Sequence, residues 1–159
     1  MRFRKARPDE AEFLTYFVVQ AKAHWGYSAA QLEAWRPSLT VTAEQLRSQP
    51  AFVLETDRVV GFYSLRVAGG ACELDNLWVA PSEVGRGHGR ELLTHVMNVA
   101  RSMGLREIAI DADPNAADFY LHCGATVTGS VPAPIEGQPG RTRPQLRLSV
   151  ELAEEPRRR

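Results

Sequence analysis

Two acidic residues on one predicted strand are the first candidates for chemistry in this chain. Glu73 and Asp75 stand two positions apart in the run ACELDNLWVA, and that spacing directs both side chains to one face of a strand. Two carboxylates on an interior strand are costly unless they are solvated, paired or used, and their repulsion favours proton uptake by one of them. The pattern fits a general base, and it equally fits an ion pair with a neighbouring arginine such as Arg66.

Tyr120 is the candidate for a general acid. It lies in DPNAADFYLHCG, where Asp113 is a predicted N-cap and Gly124 a predicted stop signal for a short helix. A phenol, with an ordinary pKa of about 10, can donate a proton when the surrounding site assists it. Beside Phe119 on an amphipathic helix, the same tyrosine is also an ordinary core residue.

The stretch VGRGHGRELLTHV, residues 84–96, places three glycines before an amphipathic helical pattern. A glycine-rich turn between a strand and a helix gathers unpaired N–H groups and the positive end of the helix dipole at one spot. Glycine lets a phosphate approach the main chain there, and arginine adds charge. The sequence therefore favours an anion site over an unliganded turn, and its expected residues are Gly85, Arg86, Gly87, Gly89 and Arg90.

Two common phosphate-binding loops do not account for this stretch. The dinucleotide fingerprint G-x-G-x-x-G fails, because its third glycine would fall at Arg90 or at Leu92. The Walker loop also fails, because no Lys-Ser or Lys-Thr pair follows the glycines. The remaining interpretations are an anion site of another class, which is favoured, and a glycine-rich turn without a ligand.

Apolar spacing predicts the elements that position these residues. The predicted helices are a segment with apolar positions 13, 14, 17, 18 and 21, Ala29 to Trp35, the capping-box segment TAEQLRSQ, Arg90 to Met103 with Gly104 as its stop, and the segment around Tyr120. The predicted strands are Arg2 to Lys5, a hairpin split at Asp57 and Arg58, ACELDNLWVAP, REIAIDA, ATVTGSV and PQLRLSVEL. This order predicts a mixed α/β sheet of about seven strands.

Composition limits the classes of partner. Hydrophobic residues make up 44% and charged residues 24%, which is typical of a globular domain, here predicted to span 1–153 before a charged tail at 154–159. Nineteen basic and nineteen acidic residues cancel, which removes the net attraction that dominates nonspecific nucleic-acid binding. No apolar run suits a membrane span or a signal peptide, so we expect a cytoplasmic protein without nucleic-acid or membrane partners. Cysteines and histidines lack metal-ligand spacing, and we expect no metal.

Taken together, LDNLWVAPSEVGRGHGRELL and IAIDADPNAADFYLHCGA resemble the GNAT superfamily of N-acetyltransferases. The shared pattern is a strand ending in V-x-P, a G-x-G loop that opens a helix, a further strand, and a short helix bearing Phe-Tyr before a glycine. It extends from about Phe52 to Leu152. Two positions depart from it: Val84 stands where Gln or Arg is usual, and Asp113 stands where Asn is common, with Asn115 two residues later.

The resemblance implies a GNAT-like fold, in which a mostly antiparallel sheet is flanked by helices on both faces, and it implies acetyl-CoA as cosubstrate. Main-chain groups of residues 85–90 would hold the pyrophosphate, which would leave the His88 ring pointing outward. Pantetheine would pair with a strand where two strands part. The expected cofactor contacts are Leu77, Trp78, Val79, Gly85, Arg86, Gly87, His88, Gly89, Arg90, Asn115 and Phe119.

The resemblance also suggests roles in acetyl transfer. Tyr120 would protonate the departing thiolate, and Asp75 would be the base, directly or through water, with Glu73 as the second candidate. We therefore expect direct transfer from acetyl-CoA to a primary amine of a small molecule or a peptide. The alternative is a noncatalytic acyl-CoA sensor on the same fold, and a homodimer is compatible with either.

Two segments are candidates for the acceptor side. The Pro/Gly-rich segment 131–144 carries Arg141 and Arg143 and could reach over the acceptor pocket, which would suit an anionic or amino-acid-like amine. The aromatic stretch AHWGYS follows the first helix, where the family places part of its acceptor wall. Core or loop packing explains that stretch equally well.

Overall fold

The computed structural model describes residues 1–151, which contain five α-helices and seven strands. The helices are α1 (Ala11–Ala23), α2 (Ala29–Leu39), α3 (Ala43–Ser48), α4 (His88–Ser102) and α5 (Ala117–His122). The strands are β1 (Arg2–Lys5), β2 (Ala51–Glu55), β3 (Val59–Ala68), β4 (Ala71–Val79), β5 (Glu107–Asp111), β6 (Thr126–Pro132) and β7 (Thr142–Ser149). The predicted strand number is confirmed. The predicted strand position Leu152 and the predicted tail at 154–159 lie outside the described residues.

The strands form one sheet in the order β1-β2-β3-β4-β5-β7-β6. Neighbouring strands are antiparallel except β4 and β5, which run parallel and pair at a single position, Glu73 with Ala109. No further ladder pairing joins β4 to β5 in the described range, so the sheet has a gap between its two halves. The mixed, mostly antiparallel sheet confirms the predicted fold class.

Helices cover both faces of the sheet, and each face has its own apolar core. On one face, here called the α4 face, α4 and α5 pack through side chains such as Leu92 and Val96. On the other, the α1 face, α1 and α3 pack through side chains such as Leu14 and Leu46. Because successive strand residues point to opposite faces, β4 presents Leu74 to the α4-face core and Trp78 to the α1-face core, whereas β5 contributes Ile108 and Ile110 to the α4-face core.

β4 contains one extra residue, Asp75. Ser64 of β3 pairs with Asn76 and the next residue, Leu65, pairs with Leu74, so Asp75 has no partner in the ladder. A β-bulge of this kind bends the strand and re-aims the side chains around it. The regular spacing predicted for the two acidic residues of β4 is therefore interrupted between them.

The ends of α4 show how local sequence sets a helix boundary. α4 begins at His88, against a predicted start at Arg90, because Gly87 in the left-handed conformation is its N-cap. Its end agrees with the prediction. Gly104 has a φ of +72°, and its N–H donates to the carbonyl of Arg101 at 3.0 Å.

Two predicted helix boundaries are wrong. α2 does not end at Trp35 but continues through Pro37 to Leu39, because a proline in the last turn removes only one helical hydrogen bond. α5 begins at Ala117 and is not capped by Asp113, since the carboxylate of Asp113 is occupied by other partners described below.

Candidate functional site

The start of α4 is a candidate anion site. Gly85 and Gly87 both have a φ of +84°, which glycine adopts without strain. Among residues 1–151 no side chain caps the helix at Gly87, so the first-turn N–H groups of His88, Gly89 and Arg90 have no capping partner in that range. A Cβ built at residue 85 or 87 would meet no atom within 4 Å, so a ligand can approach the main chain. These N–H groups and the helix dipole can hold a phosphate.

Gly89 has a packing role that differs from that of the other two glycines. Its φ is not positive, but a Cβ there would lie 3.2 Å from Cζ and 3.3 Å from Cε2 of Phe119. The absence of a side chain therefore lets the Phe119 ring lie against the start of α4. The same ring lies edge-on to Tyr120, with centroids 5.2 Å apart. Gly89 thereby helps to position the aromatic pair of α5.

Glu83 holds the glycine loop from the strand side. Its carboxylate accepts a hydrogen bond from Arg58 at 2.9 Å and lies 3.5 Å from Arg86 and 3.3 Å from the ring of His88. The hydrogen bond from Arg58, aided by His88 and Arg86, holds the pKa of Glu83 below its ordinary value. Arg86 pairs with Glu83 only at this longer distance and its side chain is exposed, so its other N–H groups are free to contact a bound anion.

The ring of His88 turns inward, and the expectation that it points outward is wrong. The side chain is 11% exposed, because a residue at the first position of α4 leans back over the preceding turn towards Glu83. Its Nδ1 atom is buried and has no hydrogen-bond partner in the part of the chain that the structure describes. One polar atom beside the glycine loop is therefore unsatisfied.

A cavity of ≈ 920 Å³ connects the glycine loop with the gap in the sheet. A volume near 1,000 Å³ lies at the upper end of the range usual for small-molecule sites, roughly 300–1,000 Å³. The loop end is lined by Gly85, Gly87, His88, Gly89 and Arg90, and the middle by Leu77, Trp78, Val79, Ala112 and Phe119. Glu73, Asp75 and Tyr120 also line it. One cavity thus reaches the predicted phosphate, pantetheine and catalytic positions.

Tyr120 is buried on the α4 face of this cavity. Burial raises the pKa of its phenol above the ordinary value, and the charges of Cys123 and Asp113 act in the same direction. None of the side-chain hydrogen bonds within residues 1–151 involves its hydroxyl. The hydroxyl therefore keeps its proton, and no acceptor among the described residues competes for it.

Arg66 pairs with both acidic residues of β4. Its guanidinium donates to Glu73 Oε2 at 3.2 Å and to Asp75 Oδ1 at 2.9 Å. The Asp75 side chain is the more enclosed of the two, at 25% exposure against 59% for Glu73. The ion pair with Arg66, one of the two alternatives from the sequence, is therefore present. Glu73 and Asp75 also line the cavity, so the ion pair does not prevent contact with a ligand.

A hydrogen-bond chain next to the bulge has no counterpart among the sequence predictions. Trp78 Nε1 donates to Asn76 Oδ1 at 2.9 Å, and Asn76 Nδ2 donates to Ser64 Oγ at 2.9 Å. Both polar ends of the Asn76 amide are satisfied, which fixes the side chain on the cavity wall. The bulge at Asp75 is therefore held in place by its neighbour as well as by Arg66.

No sequence pattern predicts the buried charge cluster, formed by Lys22, Tyr27, Asp113 and Arg141. Asp113 Oδ2 accepts hydrogen bonds from Lys22 Nζ at 2.5 Å and from the Tyr27 hydroxyl at 2.8 Å. Arg141 donates to the Tyr27 hydroxyl at 3.0 Å and lies 3.7 Å from Asp113. The sequence singles out three members separately, Tyr27 in the aromatic stretch AHWGYS, Asp113 and Arg141, but it does not predict that they meet Lys22.

Burial and neighbouring charges shift the pKa values of the side chains in the buried charge cluster. Burial alone would raise the pKa of Asp113, but the hydrogen bond and charge of Lys22 hold that pKa below its ordinary value. Burial lowers the pKa of Lys22, and the positive charges of Arg141 and Arg143 lower it further against the opposing effect of Asp113. The cluster thus contains two basic side chains and one carboxylate in a poorly solvated place.

Two expected contacts lie away from their expected places. The Asn115 amide donates to the Tyr27 hydroxyl at 3.2 Å and to Asp113 Oδ1 at 3.0 Å, and of the two candidates only Asp113 lines the cavity. Arg141 does not reach over the cavity, because it is buried and bound to the Ala133 carbonyl at 2.9 Å. Arg143 lies on β7 and does line the cavity.

Comparison with known proteins identifies the family. Residues 11–125 match the acetyltransferase (GNAT) family. The chain belongs to the GNAT acetyltransferase family. This GNAT chain is accordingly an acyltransferase, and the predicted resemblance and enzyme class are confirmed.

Solved structures agree with the membership. A GCN5-related N-acetyltransferase from Rhodopseudomonas palustris shares 25% identity with this GNAT chain, with a TM-score of 0.76 over 93% of this chain and 94% of that one. The YncA protein of Salmonella typhimurium, solved with its cofactor acetyl-CoA, shares 25% identity with a TM-score of 0.68 over 98% and 97%. The PaiA N-acetyltransferase of Thermoplasma acidophilum, in complex with coenzyme A, is 17% identical, with a TM-score of 0.75 over 93% and 98%, and shares the fold.

No curated protein sequence matches this GNAT chain significantly. Within residues 1–151, no three His, Cys, Asp or Glu side chains are grouped so as to hold a metal ion. None of the helices in that range has the length and apolar character needed to cross a membrane.

Proposed function

We propose that this GNAT enzyme transfers the acetyl group of acetyl-CoA to a primary amine of a small molecule or peptide. The observation that carries the proposal is the single cavity that runs from the uncapped start of α4, through the gap between β4 and β5, to Tyr120 and Asp75. In this proposal residues 1–153 act as one domain.

The lining of the cavity fits an acyl-CoA at both the pyrophosphate end and the pantetheine end. Gly85 and Gly87 leave an open approach to the main chain, and the N–H groups at the start of α4 are available for the pyrophosphate. Main-chain groups of residues 77–79 border the gap and have no ladder partner on β5. When bound, acetyl-CoA supplies an acetyl thioester that a neutral amine can attack directly.

Tyr120 and Asp75 have complementary proton roles in this proposal. Tyr120 holds a proton on its hydroxyl at neutral pH, because burial raises its pKa, and it donates that proton to the departing sulfur. Asp75 accepts the proton of the amine, directly or through water, from its place on the bulge. Glu73 is the second candidate for the base, since it shares Arg66 with Asp75 but is more exposed.

The glycine loop gives a direct test of cofactor binding. The variant Gly87→Val places a branched side chain at a φ of +84° in the approach to the N–H groups, and we expect the Kd for acetyl-CoA to rise at least ~10-fold, about 1.4 kcal/mol. Gly69→Val is the matched control, since Gly69 also has a positive φ and open surroundings but does not line the cavity. Calorimetric titration with acetyl-CoA measures both.

The transfer itself is tested by the release of CoA thiol from acetyl-CoA in the presence of a panel of primary amines. Release that depends on an amine supports the enzyme, and thermal stabilisation by acetyl-CoA without release from any amine would instead indicate a noncatalytic acyl-CoA sensor. Absence of both release and stabilisation contradicts the proposal altogether.

A further inference from the structure

The part of the cavity beside Asp75, here called the acceptor end, lies on the α1 face. Its charged side chains fall into two groups. Glu73, Asp75 and Arg66 come from the β3–β4 wall. A second wall is lined by Lys22 and Asp113 of the buried charge cluster and by Arg143 of β7. Lys22 reaches this wall from α1, with its Nζ 5.9 Å from the Trp78 ring centroid, and the two groups border the same cavity.

The two groups carry opposite net charge. On the β3–β4 wall one guanidinium faces two carboxylates, which leaves an excess of one negative charge. In the buried charge cluster Lys22 and Arg141 face one carboxylate, which leaves an excess of one positive charge. The two other arginine–carboxylate pairs of β7 each balance and do not change this difference.

The positive excess is strong because it is poorly solvated. The side chains of Lys22, Asp113 and Arg141 are 12%, 7% and 6% exposed. Water screens charges weakly at such depth, so an unbalanced cation there favours an anionic ligand more than a surface lysine would. Trp35 and Tyr27 also stack against the two cations, with Lys22 Nζ 4.7 Å from the Trp35 ring centroid.

Arg143 can present its guanidinium to a ligand from this wall. It donates to Asp111 Oδ1 at 2.9 Å and to Asp111 Oδ2 at 3.1 Å, and its side chain is 42% exposed. An exposed pair of this kind contributes at most about 1 kcal/mol, so an incoming carboxylate can exchange with Asp111 at low cost. Gln145 Nε2, 2.9 Å from Asp111 Oδ1, still satisfies the released aspartate.

From this separation of charge we propose that the acceptor is a small zwitterionic amine, a compound of the free amino acid type. Its amine lies at Asp75 and its carboxylate lies at the Lys22 and Arg143 wall. This inference rests on the proposed amine acetylation and names the substrate class of the same site. A plain amine leaves the positive wall without a counter-ion.

The first test compares amines that differ only in the carboxylate. Free amino acids and their carboxamides are supplied with saturating acetyl-CoA, and thiol release gives kcat/KM for each. The carboxamide has the more easily deprotonated amine, so the comparison is biased against the proposal. We expect kcat/KM to be at least ~10-fold higher for the best amino acid than for its carboxamide, about 1.4 kcal/mol.

The second test removes the guanidinium. Arg143→Gln should raise the KM of the amino acid at least ~10-fold. The KM of acetyl-CoA and the turnover of the carboxamide should stay within ~2-fold of the wild-type values. Arg143→Lys should recover part of the loss in amino-acid binding. Arg47→Gln on α3 is the matched control, because Arg47 is exposed, its one ion pair within residues 1–151 is with Glu44, and it does not line the cavity.

The outcomes separate the inference from the proposed function. Equal turnover of amino acids and carboxamides, or an equal loss for both in Arg143→Gln, overturns the zwitterionic acceptor and leaves amine acetylation standing. Thiol release with the N-terminal amines of proteins but with none of the free amino acids likewise overturns the zwitterionic acceptor and leaves amine acetylation standing. Absence of thiol release with every amine overturns both.

Discussion

Tyr120 and Tyr63 are both buried phenols on the α4 face, and they differ in what their hydroxyls meet. The Tyr63 hydroxyl lies 2.6 Å from Nδ1 of His95, whereas the Tyr120 hydroxyl has no such partner and its residue lines the cavity. Burial raises the pKa of both phenols above the ordinary value. Both therefore keep their protons at neutral pH, but only Tyr120 is placed to donate its proton to a ligand.

We expect Tyr120→Phe to lower kcat on the order of 100-fold while the Kd for acetyl-CoA changes less than ~3-fold. Tyr63→Phe should leave kcat unchanged and lower the free energy of unfolding by about 1 kcal/mol. Steady-state kinetics, calorimetry and denaturant unfolding measure these effects. Since the pKa of Tyr120 is raised, loss of its proton should cause no decline in wild-type kcat below pH 10. If Tyr120→Phe retained the kcat of the wild type, the role of Tyr120 would be packing alone.

Asp75 and Glu73 can be separated by amide substitution. Asp75 lies on the bulge and is the more enclosed, so Asp75→Asn should lower kcat on the order of 100-fold, whereas Glu73→Gln should lower it less than ~5-fold. Both variants retain hydrogen-bonding groups for Arg66, so a purely structural ion pair would make them alike. Equal and small effects would leave the ion pair as the only role of these carboxylates.

At the scale of an element, the start of α4 depends on a contact with α5. Gly89→Ala would bring a Cβ to 3.2 Å from the Phe119 ring, and we expect it to lower the free energy of unfolding by about 1–3 kcal/mol. Adding Phe119→Leu should recover part of that loss because the ring atoms in question are removed. Gly129→Ala is the control, as a Cβ there meets nothing within 4 Å. Equal costs for both alanine variants would contradict the contact. Urea unfolding monitors all variants.

Regular elements could be predicted from the sequence where the signals are local. The capping box of Thr42 and Gln45 and the left-handed Gly104 both occur as predicted, because each depends on residues within one helical turn. Asp113 misled the prediction, since its carboxylate is bound by Lys22, which is 91 residues away. The inward ring of His88 and the bulge at Asp75 likewise depend on contacts with other segments.

At the scale of the whole molecule, an ion network joins the first strand to the start of α1. Arg4 donates to Glu10 Oε1 at 2.8 Å and Oε2 at 2.9 Å and to Glu55 Oε2 at 2.9 Å. Glu10 also accepts the N–H of Arg7 at 2.8 Å. The hydrogen bond from Arg4 is the main cause of a lowered pKa at Glu10, against the opposing effect of burial.

Glu10→Gln should lower the free energy of unfolding at pH 7 on the order of 2 kcal/mol, and Glu44→Gln at an exposed pair should change it by less than about 0.5 kcal/mol. Because the folded pKa of Glu10 lies below its unfolded value, its contribution is complete above about pH 4.5 and is lost as the pH falls through the folded pKa. The difference between wild type and Glu10→Gln should therefore shrink on acidification. A difference that stays constant with pH would exclude this ion pair as its source.

The sequence predicts the composition of the site better than its charge distribution. The family pattern of the glycine loop and the Phe-Tyr helix lies in short contiguous segments. The opposite charges of the two cavity walls arise from Glu73 and Asp75 on β4 and from Lys22 on α1 with Arg141 before β7, which come together only in the folded chain. Net charge cancels over the whole sequence, so composition carries no trace of that separation.

The lone β4–β5 pairing at Glu73 and Ala109 also bears on cohesion. Beyond that pairing, no strand-to-strand ladder within residues 1–151 closes the seam between β1–β4 and β5–β7–β6. A ligand bound in the seam would contact the strands on both sides and hold the two halves of the sheet together. We therefore expect amide hydrogen exchange in β4 and β5 to slow together when acetyl-CoA is added, so that rigidity across the seam would come from the bound ligand.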